Sequence, residues 1–145
     1  MMIMKRLLLI ATLLACMGGA RAQGGPDDSI YQAFGGQPGL VKLMDDFVPR
    51  LMADPRLQPF FKDTNLKNLK EQLVSQLCMV SGGPCKYAGA DMKSVHADFE
   101  IRKGDFNALV EVLQQAMDAQ GIAFTAQNRM LARLAPMHRD IINKP

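Results

Sequence analysis

The chain has 145 residues, 48% of them hydrophobic and 21% charged, which is enough for one domain with a core and too apolar for a disordered segment. Its formal net charge of +3 is concentrated at the start, because Lys5, Arg6 and Arg21 fall within the first 22 residues, which hold no acid. The remainder is charge-balanced, lacks Trp and has only two Tyr, which argues against nucleic acid as a partner.

Residues 1–22 read as a signal peptide. Lys5-Arg6 is a positive start, Leu7 to Met17 an apolar run, and Ala20-Arg21-Ala22 an A-x-A cleavage pattern before Gln23. The run is about half the roughly 20 residues that a transmembrane helix needs. Leu13-Leu14-Ala15-Cys16 also has the form of a lipoprotein box, and only lipidation of Cys16 would attach the protein to a membrane. Either route exports the domain, so a periplasmic location is expected; the alternative is a buried N-terminal helix. Residues 23–28 form a polar leader, and residues 29–145 the domain itself.

Within that domain the elements follow from spacing. Ser29-Ile30-Tyr31-Gln32 has the capping-box form S-x-x-Q and predicts a short helix ending at Gly35-Gly36. Leu40, Leu43, Met44, Phe47 and Leu51 recur at three and four residues, predicting a helix from about Pro38 to Ala53 that Pro49 kinks. Pro55 to Phe61 reads as a tight connector. Leu66, Leu69, Leu73, Leu77 and Val80 predict a helix over Asn65 to Ser81, stopped by Gly82-Gly83-Pro84. Cys85 to Ala90 reads as loop, and Asp91 to Ala97 as one or two helical turns. Phe106, Leu109, Val110, Leu113, Ala116 and Met117 mark a helix over Asp105 to Ala119. A last one, from about Thr125 to Asn143, carries Met130, Leu131, Leu134, Met137 and Ile141, and Pro136 bends it. No alternating strand pattern occurs, so the fold class is all-α. The Met residues read as core filler.

Few residues offer chemistry. Cys78 and Cys85 remain once Cys16 is removed or acylated, and they are either a disulfide closing a short loop in an oxidising compartment or two buried thiols. No C-x-x-C, H-E-x-x-H, G-x-S-x-G, P-loop or G-x-G-x-x-G pattern occurs. Asp45-Asp46 reads as the solvated face of a helix. His138, beside Arg139 and Asp140, reads as a surface residue near a helix end. His96, on a short helical segment between apolar helices, is either a structural histidine or a lone axial ligand. An iron porphyrin asks only one such ligand of the protein, since its four in-plane nitrogens come with it, and its faces want Leu, Phe, Met and Val.

Several segments then resemble the truncated haemoglobins of group I. They are Ser29-Ile30-Tyr31 with Phe34-Gly35-Gly36, Asp45-Asp46-Phe47, Ala53-Asp54-Pro55-Arg56-Leu57 and Pro59-Phe60-Phe61. After these come Gly82-Gly83-Pro84, Tyr87, Gly89, Met92-Lys93, Val95-His96 and Ala135-Pro136. The similarity spans about residues 29 to 142. It implies a two-over-two helical globin fold holding haem b, with His96 as proximal iron ligand and Phe61 packed on the porphyrin. It also implies Leu69 and Leu73 on the distal wall, Phe47 and Val48 above the iron, and Tyr87, Met92 and Val95 at the haem edge and proximal side. The sequence departs from the family where many members carry a Tyr after the Phe of the second helix and a Gln on the third, because Val48 and Leu73 stand there. Gln72 and Gln76 are the other amides near that wall, and both are expected to face solvent or the helix flank.

The resemblance implies reversible binding of O2, or of NO or CO, at an iron with an open sixth position and a largely apolar distal pocket. A haem enzyme, either a nitric oxide dioxygenase or a peroxidase-like protein served by a reductase, is the alternative. A haem-free helical binding module is a third.

Overall fold

Helices are the only regular elements among the described residues, which run from 27 to 145 in this computed structural model. The expected signal peptide and most of the leader lie outside them. The helices are α1 (Ser29–Ala33), α2 (Gly36–Ala53), α3 (Gln58–Phe61), α4 (Leu66–Val80), α5 (Met92–His96), α6 (Lys103–Ala119), α7 (Phe124–Leu134) and α8 (His138–Ile141). A 3-10 turn, Ala135–Met137, separates α7 from α8.

The expected stripe of α2 is buried whole, together with Val48, because residues three and four apart share one face. That face packs on both α4 and α6, and α7 packs in turn on α4 and α6. Two helices thus lie over two, and the core fills the space between the pairs. The α1–α2 corner depends on Gly39, where a Cβ would stand 1.8 Å from the Phe34 carbonyl oxygen. No other residue fits so close an approach.

On α4 the core face is rotated from the expected one. Val74, Leu77 and Cys78 are buried, while Leu69 and Leu73 are half-buried and Leu66 is exposed. α4 therefore has two apolar faces, one spent on the core and one left beside it. α6 repeats the pattern, burying Ala108, Val112, Leu113, Ala116 and Met117 and leaving Phe106, Leu109 and Val110 half-buried.

Local differences from the sequence reading have simple causes. Ser29 does not form a capping box with Gln32; Asp27 takes that role, accepting from the Ser29 N–H at 3.1 Å, and Gln32 Nε2 donates to Asp28 Oδ2 at 3.1 Å. The connector Pro55–Phe61 contains the helical turn α3, with a proline in its first turn, where no N–H is needed. α2, by contrast, runs through Pro49 to Ala53 as the sequence predicts. Burial of Leu51 beyond it, worth about 1.5–3 kcal/mol, offsets most of the roughly 3 kcal/mol cost of an interior proline. Pro136 does more than bend the last helix, dividing it at the 3-10 turn.

Cys78 and Cys85 are joined in a disulfide with Cα atoms 5.7 Å apart, within the usual range. It ties the end of α4 to the loop leading into α5. Ser75 Oγ donates to the Lys86 carbonyl at 3.2 Å and pins the same loop one turn earlier. Closing so short a loop restricts the unfolded chain by about 2–3 kcal/mol. The double variant Cys78→Ser/Cys85→Ser should lose about that much stability in urea unfolding, and thiol labelling of unreduced, denatured wild type should leave both cysteines unmodified. Label on both would exclude the bond.

Candidate functional site

α5 is five residues long and buries none of them completely, so its shape is set by its ends. At the front, Asp91 Oδ1 accepts from the Ser94 N–H at 2.9 Å, an N-cap. At the back, His96 Nδ1 lies 2.6 Å from the Met92 carbonyl oxygen, one turn earlier. A carbonyl can only accept, so Nδ1 carries the ring proton. In the neutral ring, Nε2 is then the nitrogen that keeps its lone pair, the form in which an imidazole ligates a metal.

The half-buried face of α4 meets α5. Gln76, buried on the same side of α4 as Leu69 and Leu73, places Nε2 3.1 Å from Met92 Sδ and 3.5 Å from Met137 Sδ. This corrects the expectation that Gln76 faces solvent or the helix flank. It stands three residues after Leu73 and seven after Leu69, and that spacing turns it inward. Gln72 is half-buried against the loop around Gly89, its Oε1 2.7 Å from where a Cβ at that glycine would stand.

The other expected site residues divide by depth. Phe47 and Val48 are buried in the core on α2, and Phe61 and Leu73 pack against that core from its edge. Met92 and Leu69 are half-buried. Phe60 meets Phe99 edge to face, with ring centroids 6.4 Å apart, so α3, which also bears Phe61, stands beside the loop after His96. Val95 is 41% exposed. The Tyr87 hydroxyl donates to the Ala90 carbonyl at 3.0 Å, within its own loop. His138 is exposed at the start of α8, its Nδ1 2.8 Å from the Ala135 carbonyl oxygen and its ring edge-on to Phe106.

Gln76, Phe60, Phe99, Met137 and Asn143 all contact this region and are not among the residues expected there. The α4 spacing carries the signal for Gln76, and the Phe60-Phe61 pair that for Phe60. Asn143 bonds the His96 carbonyl across 47 positions, a contact with no local signature.

Among the described residues no three His, Cys, Asp or Glu side chains gather as a metal site. A single imidazole nitrogen on a short helix that meets α4 through Met92 and Gln76, on the side that bears Leu69 and Leu73, instead fits an iron that arrives in a porphyrin, with four ligands already in place.

Comparison with known proteins agrees. Residues 29–143 match the family model described as bacterial-like globin. The chain is 33% identical over 122 residues to a group 1 truncated hemoglobin of Mycolicibacterium paratuberculosis, covering 84% of this chain and 90% of that one. It is 29% identical over 116 residues to one of Nostoc sp., covering 80% and 98%. The crystal structure of truncated hemoglobin from Tetrahymena pyriformis superposes with a TM-score of 0.77 at 26% identity, over 79% of this chain and 98% of that chain. The chain belongs to the bacterial-like globin family, as a truncated haemoglobin of two-over-two fold whose cofactor is haem.

Proposed function

We propose that this protein holds haem b through His96 Nε2 and binds a diatomic gas, O2 first and NO or CO besides, in a pocket whose distal wall is apolar. The observation that carries the reading is the Nδ1–H···O bond from His96 to Met92, which makes Nε2 the ligating nitrogen of the neutral, half-buried ring. When bound, haem supplies the iron at which the gas binds. The chain's own residues do the rest. Met92 O fixes the tautomer and, by holding the Nδ1 proton, makes the imidazole a better donor. Phe61, Leu69, Leu73 and Met92 offer apolar surface to the porphyrin faces, Tyr87 and Val95 flank its edge, and Phe47 and Val48 close the distal side and exclude water.

Val48 and Leu73 also determine ligand preference. O2 gains negative charge on binding, and a donor stabilises it by about 1.5–3 kcal/mol. Neither residue can donate. The Gln76 amide is taken up by Met92 and Met137 on the side of α5 and the 3-10 turn, so it is not a distal donor in this reading. An exported location belongs to the same proposal, and the Cys78–Cys85 bond supports it, since such bonds persist in oxidising compartments.

His96→Ala should abolish haem retention, read as loss of the Soret band after reconstitution, while His138→Ala should leave the spectrum unchanged. A wild-type spectrum in His96→Ala would contradict the assignment.

O2 should leave about tenfold to a hundredfold faster than from truncated haemoglobins carrying Tyr and Gln at the two positions. Leu73→Gln should slow release about tenfold in stopped flow, and Gln72→Leu or Gln76→Leu should change it less than threefold. A tenfold acceleration in either Gln variant would make that residue the donor and overturn the apolar pocket.

A further inference from the structure

Asn143 uses both ends of its side chain on the segment that carries and follows His96. Nδ2 donates to the His96 carbonyl at 2.8 Å, and Oδ1 accepts from the Ile101 N–H at 2.9 Å. The backbone N–H groups of Asn143 and Lys144 both donate to the Ile101 carbonyl at 3.1 Å. Lys144 pairs with Glu100, and its ammonium helps hold that carboxyl below the usual carboxylate range. Residues 143 and 144 thus form a latch across residues 96–101.

The position of the latch matters because of what α5 lacks. Helices this short do not hold themselves together in water, and α5 has no fully buried side chain to anchor it. Its last carbonyls have no partner within the helix. The His96 carbonyl is satisfied by the Phe99 N–H at 3.1 Å and by Asn143, and of these only Asn143 comes from outside the local turn. Met92 O fixes rotation of the ring, whereas Asn143 fixes the backbone from which the ring hangs.

We propose that Asn143 is a positioning residue for the axial histidine, setting the reach of His96 toward the metal. The inference rests on the reading of His96 as that ligand. Asn143→Asp separates the two bonds: it keeps an acceptor for Ile101 but removes the donor and sets a carboxylate against the His96 carbonyl oxygen. In the haem-loaded variant, transfer of haem to excess apomyoglobin should be at least fivefold faster, and the iron–histidine stretching band of the ferrous form should shift or broaden. In the haem-free variant, amide exchange over residues 97–99 should rise at least fivefold. Asn143→Ala should show the same three changes, and Lys144→Ala, which removes only the Glu100 pair, should stay within twofold of wild type. Wild-type transfer and stretching in both Asn143 variants would overturn the proposal. His96→Gly separates this failure from that of the underlying reading. Haem binding restored to it by added imidazole keeps His96 as the ligand, whereas an unchanged spectrum without imidazole would remove both the ligand and its positioning residue.

Discussion

The haem site proposed for this molecule depends on the 2.6 Å contact between His96 Nδ1 and the Met92 carbonyl. A free imidazole exchanges its proton between two nitrogens, and half of its forms offer the wrong one to a metal. A backbone acceptor one turn earlier removes that ambiguity without any further side chain. It works only while α5 remains helical from Met92 to His96. That requirement explains much of the surrounding architecture. Asp91 caps the entry, the Cys78–Cys85 bond and Ser75 restrain the loop leading in, and Asn143 holds the exit. A five-residue helix without a core of its own is therefore held from both sides.

The larger helices contribute by what they leave uncovered. α2 spends its whole apolar face on the core, against α4 and α6. α4 and α6 carry more apolar surface than that core buries: Leu73 and Leu109 pack against it from its edge, and Leu69, Phe106 and Val110 are half-buried beside it. Half-buried apolar side chains on adjoining helices suit a protein that closes around a flat apolar cofactor. The globin family to which the chain belongs supplies such a cofactor.

Much of this is legible in the amino-acid sequence. The α2 stripe is readable because its period is that of the helix and all of it is buried. The resemblance carried by the glycine motifs and Val95-His96 points to haem. The faces of α4 are not legible, since a run of leucines at three and four residues does not say which are taken by the core and which by a ligand. Gln76 misleads for a related reason: an amide suggests solvent, yet its position between two apolar turns and the thioethers of Met92 and Met137 draw it inward. The capping box at Ser29 does not form because Asp27, two residues earlier, competes for the same N–H. The latch at Asn143 depends on a contact across 47 positions, and no local pattern encodes it.

The central claim is that His96 is held as the Nδ1–H tautomer and gives Nε2 to the iron. Nitrogen-15 NMR of histidine-labelled protein, followed as haem is added at about pH 8.5, two units above an ordinary histidine pKa, tests it most directly. The account predicts that in the haem-free protein Nδ1 of His96 carries the proton and Nε2 does not. On haem addition the Nε2 signal should move to a metal-bound position while Nδ1 keeps its proton. An Nε2–H tautomer before addition, or His96 signals that do not respond to haem, would contradict it.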